Sequence, residues 1–201
     1  MMISLFASAF ALGQIAASES TPRAPTTEVR FAVSHALDEG DTFLVAIHDA
    51  KGKELGGSQL GPDGFTYVEG RSTSIAKPTY TLDIQLKDGA TYHAVVTVPS
   101  TLRRVLTFKG KGKGVIELSV SLVMGDVDQN GVVDEYDQEY VLRHEGFRSK
   151  DEAKWTDFDL LGRIVWHADL NRDGKIDHTD FSKVTQSLGK RNDPLPWQKR
   201  D

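Results

Sequence analysis

Asp126, Asp128, Asn130, Asp134 and Asp137 place oxygen-bearing side chains at positions 1, 3, 5, 9 and 12 of a twelve-residue loop, with Gly131 at position 6 for a sharp bend. Asp169, Asn171, Asp173, Asp177 and Asp180 repeat the arrangement at an offset of 43 residues, with Gly174 at the bend. Hard divalent cations seek such donors: calcium takes six to eight oxygens at about 2.3–2.6 Å, and a flexible loop of this length can wrap them around the ion. The position-7 backbone carbonyls, of Val132 and Lys175, complete each expected ligand set. Magnesium, which keeps several of its waters, suits this donor count less well. Two bound calcium ions are the expectation. A single loop of this composition could be an ordinary acidic turn. Two in register, with apolar Val133 and Ile176 both at position 8 where paired loops would pack side by side, make that explanation weaker.

The charge distribution points the same way. Glu19 to Leu122 carries 12 Lys and Arg against 12 Asp and Glu, whereas Val123 to Asp201 carries 12 against 17. The whole excess of −5 therefore sits in the C-terminal part, and eight of its 17 carboxylates stand at ligand positions of the two loops. Crowding of this kind needs counter-cations or endures repulsion. The chain has no basic excess, so no nucleic-acid partner is expected. It has no cysteine, so disulfides, thiolate zinc sites, iron–sulfur clusters and thiol catalysis are excluded.

The elements that must hold the loops can be read from periodicity. Gly125–Gly146 aligns with Ala168–Gly189, with identities at Asp126/Asp169, Gly131/Gly174, Asp134/Asp177, Asp137/Asp180, Val141/Val184 and Gly146/Gly189. Each repeat reads as a loop followed by a helix that closes at a Gly. Phe181, Val184 and Leu188 share one face of the second helix. Residues 150–165 read as a short extra helix that would pack Trp155, Phe158, Leu161 and Trp166 against the pair.

Upstream, seven segments alternate apolar and polar residues between turn signals, as strands with one wet face do. They centre on Val29–Val33, Phe43–Ile47, Gly64–Glu69, Tyr80–Leu86, Tyr92–Val98, Arg103–Lys109 and Val115–Val123. This spacing predicts an antiparallel β-sandwich, Ig-like or carboxypeptidase-regulatory-like, over residues 28–123. Residues 1–18 read as a signal peptide, with an apolar run from Ile3 to Ala17 too short for a membrane span. Residues 19–27 read as a Pro/Ser/Thr-rich linker, 124–190 as the calcium-binding unit and 191–201 as a C-terminal tail. The expected fold class is thus multidomain β plus α: a sandwich followed by a small all-α module of paired loop–helix, EF-hand-type units. No membrane span is expected after signal removal.

The duplicated pattern over Gly125–Gly189, with Asp closing each loop and a strand rather than a helix leading into Asp126, resembles the dockerin family. That resemblance implies a non-catalytic bacterial module that attaches to a cohesin-like protein in secreted, polysaccharide-degrading assemblies. It also implies that the side chains named above are the calcium ligands. The best-known members carry Ser-Thr just after position 9; here Glu135-Tyr136 and His178-Thr179 stand there.

Other constellations lead less far. Gly56-Gly57-Ser58-Gln59-Leu60 lacks the second Gly of a nucleophile elbow, and neither HExxH nor a P-loop occurs. The basic residues Arg103, Arg104, Lys109, Lys111 and Lys113 suit a solvated hairpin tip that protects an edge strand. All three tryptophans, Trp155, Trp166 and Trp197, lie outside the sandwich segments, which weakens a sugar-binding role for the sandwich. The sequence therefore predicts a secreted or cell-surface, non-enzymatic calcium-binding protein that attaches to a cohesin-like or other surface protein. The alternative is a glycan-binding sandwich with a purely structural calcium module.

Overall fold

A computed structural model describes residues 26–34, 43–60, 79–150 and 165–198. Seven strands come first: β1 (Thr27–Val33), β2 (Phe43–Asp49), β3 (Glu54–Leu60), β4 (Thr79–Ile84), β5 (Thr91–Thr97), β6 (Arg104–Lys109) and β7 (Gly114–Val120). Helix α1 (Glu135–Arg143), a 3-10 turn (Val165–Ala168) and helix α2 (His178–Ser187) come after them.

The strands form two sheets, one of three strands in the order β4-β1-β7 and one of four in the order β3-β2-β5-β6. Alternation sets which face is buried. Val29, Phe31 and Val33 of β1 are buried, as are Phe43, Val45 and Ile47 of β2 and Ala94 and Val96 of β5. The two sheets meet through aromatic rings: Phe43 stacks on Tyr80 of β4 with centroids 4.2 Å apart, and Phe31 tilts against Phe43 at 5.8 Å. Such ring pairs add specificity to the area they bury.

The β-sandwich expected from the sequence is present, with three differences. First, β1 pairs with β7 in parallel, Val29 opposite Ile116 and Phe31 opposite Leu118, so the sandwich is not wholly antiparallel. Parallel pairing of the first and last strands is set by the long-range return of the chain, which local periodicity does not record. Second, Glu54–Leu60 is a strand that alternation did not indicate. A side chain at Gly57 would place its Cβ 2.5 Å from the Val45 carbonyl oxygen, so β3 lies too close to β2 for one. Third, the strand expected at Gly64–Glu69 lies outside the described residues, as do residues 1–25, the expected signal peptide and most of the linker.

Among the described residues the sandwich does not give way to a separate all-α module. The buried apolar residues form one continuous core from Val29 through Leu122, Met124 and Val133 to Val184. A backbone bond crosses the expected boundary: Gly125 N–H donates to the Ser100 carbonyl at 2.8 Å. The Ser100 hydroxyl donates to the His167 carbonyl at 2.7 Å inside the protein. Short β-bridges, Val132 with Arg191 and Arg148 with Lys175, also run through the loop–helix region, so it is not purely helical. Of the extra helix expected over residues 150–165, residues 151–164 lie outside the described residues.

The chain leaving α2 runs back along the sandwich. Asn192 N–H donates to the Gly131 carbonyl at 2.9 Å, and Asp193 N–H to the Arg103 carbonyl at 3.1 Å. An Asp193 carboxylate oxygen accepts from Val105 N–H on β6 at 2.9 Å and pairs with Arg104 at 3.3 Å. Trp197 then lies over the cross-strand pair His48 and His93, with ring centroids 4.6 and 5.6 Å away.

Candidate metal centre

Both loops fold by the same local logic, which begins at the helix starts. Asp134 and Asp177 are the N-caps of α1 and α2; each side chain accepts a backbone N–H from the first turn. Asp137 and Asp180 answer from the third helical position, each accepting its own N-cap's N–H at 2.9 Å. This reciprocal box satisfies donors that a helix start leaves open. It accounts for positions 9 and 12 as backbone acceptors whatever else they bind.

The rest of each loop is wound around its first aspartate. In the first loop Asp126 Oδ2 accepts from Gly131 N–H at 3.1 Å, and Asp137 Oδ1 accepts from Val127 N–H at 2.8 Å. In the second, Asp169 Oδ2 accepts from Gly174 N–H at 2.9 Å, and Asp180 Oδ1 from Leu170 N–H at 2.8 Å. Gly131 and Gly174 take φ of 90° and 81°, the left-handed bend for which glycine suits position 6. Val133 and Ile176, at position 8, are fully buried. Each bonds to the chain leaving the other repeat's helix: Gly189 N–H donates to Val133 O at 2.8 Å, and Gly146 N–H to Ile176 O at 2.9 Å. The two repeats are thereby clasped reciprocally, and Gln138 on α1 donates to Thr185 on α2 at 3.0 Å.

The structure brings part of the first ligand set together. Asp126, Asp128 and Asp137 each turn an oxygen toward a common point, with these atoms within 4.8 Å of one another. Asp126 and Asp137 are almost wholly buried, 2% and 0% exposed. Asp126 Oδ1 is buried with no hydrogen-bond partner. A buried, unpartnered carboxylate oxygen beside two other carboxylates is costly, because burial opposes the charge and the neighbours repel it. Burial, and then the charge of Asp137, push Asp126 up to about 7, and burial pushes Asp137 up to about 6 despite N–H donors from Asp134, Asp128 and Val127. A divalent cation at the common point would remove both penalties, so the donor chemistry fits one. Asn130 Oδ1 and Asp134 Oδ1 are instead turned to the backbone, accepting from Val132 N–H and Tyr136 N–H at 2.9 Å each.

The second loop differs. Asp169 and Asp180 are equally buried, and burial pushes Asp169 up to about 7 and raises Asp180 as well. Asp169 Oδ1, however, accepts from Asp173 N–H at 3.3 Å. Asn171 and Asp173 bond to each other at 3.1 Å and Asp177 Oδ1 accepts from Thr179 N–H at 2.8 Å, as Asn130 with Asp128 and Asp134 with Tyr136 do in the first loop. Sequence reasoning missed Arg172. Its guanidinium is buried in the loop, donates to the Asp169 carbonyl, and lies 5.0 Å from the Trp166 ring centre. The signal was available, since a cationic side chain stands at position 4 inside an otherwise acidic loop.

The remaining candidates are drawn into local structure. Arg103 donates to the Asp193 carbonyl at 3.1 Å, Lys109 to the Thr91 hydroxyl at 2.8 Å and Lys111 to the Val115 carbonyl at 3.0 Å. The aromatic residues of the described sandwich strands, Phe31, Phe43, Tyr80, Tyr92 and Phe108, are all buried, so among the described residues those strands offer no aromatic sugar platform. Among the described residues no helix is long and apolar enough to cross a membrane.

No family model matches the chain, and no curated protein matches it. Solved structures do. One is a C-terminal interface mutant of a type II cohesin–X-dockerin complex from Acetivibrio cellulolyticus, 19% identical over 83% of this chain and 97% of that one, with a TM-score of 0.50. Another is the N-terminal interface mutant of that complex, 16% identical over 84% and 97%, with a TM-score of 0.47. The first of these supports the fold and corrects the family. The likeness spans far more than the third of the chain that carries the loops, and among the described residues there are seven strands and two α-helices. On this finding the chain shares a β-sandwich fold with a module of that complex, and the resemblance to the dockerin family is withdrawn.

Proposed function

We propose that this chain is a secreted, non-catalytic attachment protein in which calcium ions order the two aspartate loops beneath a β-sandwich. The observation that carries the calcium reading is Asp126 Oδ1, buried and unpartnered where Asp128 and Asp137 also direct their oxygens. The ligands would be Asp126, Asp128, Asn130, Val132 O, Asp134 and Asp137 in one loop and Asp169, Asn171, Asp173, Lys175 O, Asp177 and Asp180 in the other. Asn130, Asp134, Asn171, Asp173 and Asp177 would exchange a present backbone contact for the ion or share it. Calcium would supply positive charge and a fixed oxygen geometry. The chain's own residues would set the loops, cap α1 and α2 and clasp the repeats.

Attachment as the role is supported by the similar solved structure being a complex between protein modules. The partner would be another secreted or surface protein, cohesin-like or otherwise. Exposed Tyr136 and Leu142 on α1 and Leu188 after α2 give the loop–helix region apolar groups to present.

Thermal unfolding of the chain from residue 19, in calcium and in chelator, tests the ordering. Calcium at a hundredfold excess over its Kd should add about 2.7 kcal/mol. Identical melting curves would refute the calcium reading.

A further inference from the structure

The chain leaving α2 lines the bend of the first loop. Gly189 N–H donates to Val133 O at 2.8 Å, Val133 N–H to Lys190 O at 3.0 Å, and Asn192 N–H to Gly131 O at 2.9 Å. These bonds flank Val132, whose carbonyl is the position-7 ligand of the proposed set. Loop positions 6 to 8 and residues 189–192 are thus two sides of a short ribbon, bridged at Val132 and Arg191.

The same segment then grips the four-stranded sheet. Asn192 Oδ1 accepts from Arg103 N–H at 2.6 Å, and Asp193 Oδ2 accepts from Val105 N–H of β6 at 2.9 Å. Pro194 and Pro196 follow, and each fixes its own φ, so few conformations separate Asp193 from Trp197. A socket in the outer face of the sheet receives Trp197. A side chain at Gly52 would put its Cβ 2.3 Å from Trp197 Cγ, so the indole lies directly on that glycine. His48 and His93 line the socket beside it. Each ring is held in place, His48 Nδ1 by the Gly52 carbonyl at 3.2 Å and His93 Nδ1 by the Thr107 hydroxyl at 2.9 Å.

We infer that Gly189–Trp197 is a strap that couples the first loop to this socket: calcium in Asp126–Asp137 seats Trp197, and seated Trp197 tightens calcium in return. The inference rests on the calcium reading above. Without an ion, Asp126 Oδ1 is buried and unpartnered beside Asp128 and Asp137, which disfavours the closed loop. Opening the loop breaks the ribbon and leaves the strap held at β6 and the socket alone. An ion that holds the Val132 carbonyl fixes one side of the ribbon and so restores the other. Such coupling is reciprocal: calcium favours the seated strap by the same factor as the seated strap tightens calcium. Calcium thereby governs how much of the sheet face around His48 and His93 is covered.

Two measurements on the chain from residue 19 test this. Calorimetric calcium titration compares Trp197→Ala with its parent in two backgrounds: Asp169→Asn, which leaves the first loop, and Asp126→Asn, which leaves the second. Trp197→Ala should weaken the first loop by about fivefold or more and the second by less than about twofold. Amide exchange followed by NMR needs no variant to fold. The Arg103, Val105 and Asn192 N–H groups should exchange about fivefold or more slowly in calcium than in chelator, relative to amides of the β2–β5 pair.

A first loop unmoved by Trp197→Ala, two loops weakened alike, or exchange at those three amides that ignores calcium would overturn the strap and leave calcium binding standing. No binding heat in any form would overturn the calcium reading instead, so the two failures are distinguishable.

Discussion

Asn192 joins the first aspartate loop to the sandwich: its side-chain oxygen accepts from Arg103 N–H at 2.6 Å while its own N–H donates to the Gly131 carbonyl at 2.9 Å. The bend of the loop and the start of β6 are therefore fixed by one residue. Asn192→Ala should destabilise the chain by about 1–3 kcal/mol, because the half-buried Arg103 N–H loses its acceptor. Chemical denaturation would measure it; an unchanged midpoint would mean that water replaces the bond at no cost.

Gly131→Ala should cost more. The residue has φ 90°, and a Cβ there would fall 2.4 Å from Asn192 Nδ2. Left-handed strain alone is about 1–2 kcal/mol, and displacement of Asn192 adds to it. If Gly131→Ala proved milder than Asn192→Ala in the same assay, the proposed tightness of this joint would be wrong.

Trp197 makes a different kind of joint. It covers His48 and His93 on the outer face of the four-stranded sheet, and burial holds His93 below the ordinary histidine range. Trp197→Ala should release that burial, so His93 should titrate closer to its ordinary value. It should also lower stability by about 1–3 kcal/mol, less than for a fully buried Trp. Proton NMR of the imidazole resonances tracks the titration, and an unmoved His93 would show that Trp197 is not what desolvates it.

Much of the fold could be read from the sequence, and what could not has physical reasons. Alternation placed Val29, Phe31, Phe43, Val45 and Ile47 inward because a half-buried sheet demands it. β3 was hidden, since Gly56 and Gly57 carry no side chain to alternate. The parallel register of β1 with β7 was hidden because pairing between distant segments leaves no local period. Residues 191–198 look like a polar tail until Asn192, Asp193 and Trp197 are seen against the sandwich. In the loops, spacing singled out candidate ligands, of which the structure brings Asp126, Asp128 and Asp137 together. Spacing could not show that Arg172 turns inward, because side-chain direction at a left-handed position depends on what packs beside it. The family resemblance failed for a related reason: the loop motif speaks only for a third of a chain whose structural likeness spans 83%.

The raised carboxylates give the cation-free chain a definite pH dependence. Asp126 and Asp169 stand at about 7 and Asp137 at about 6, all above their ordinary value. A group whose folded pKa is raised contributes stability fully below its unfolded pKa and loses it as pH rises through the folded pKa. Without calcium, stability should therefore fall between roughly pH 4 and 7. Calcium binds the ionised form, so its stabilising effect should grow over the same interval. Melting temperatures in chelator at pH 5 and pH 8 test the sign: the higher value belongs at pH 5.

The central claim is that calcium occupies the loops, and the most direct test is to count bound calcium on the chain from residue 19 by equilibrium dialysis with elemental analysis. The expected result is two ions per chain, and one after Asp126→Ala. A wild-type chain that holds none at millimolar free calcium would contradict the account and leave the carboxylates as helix caps and turn formers.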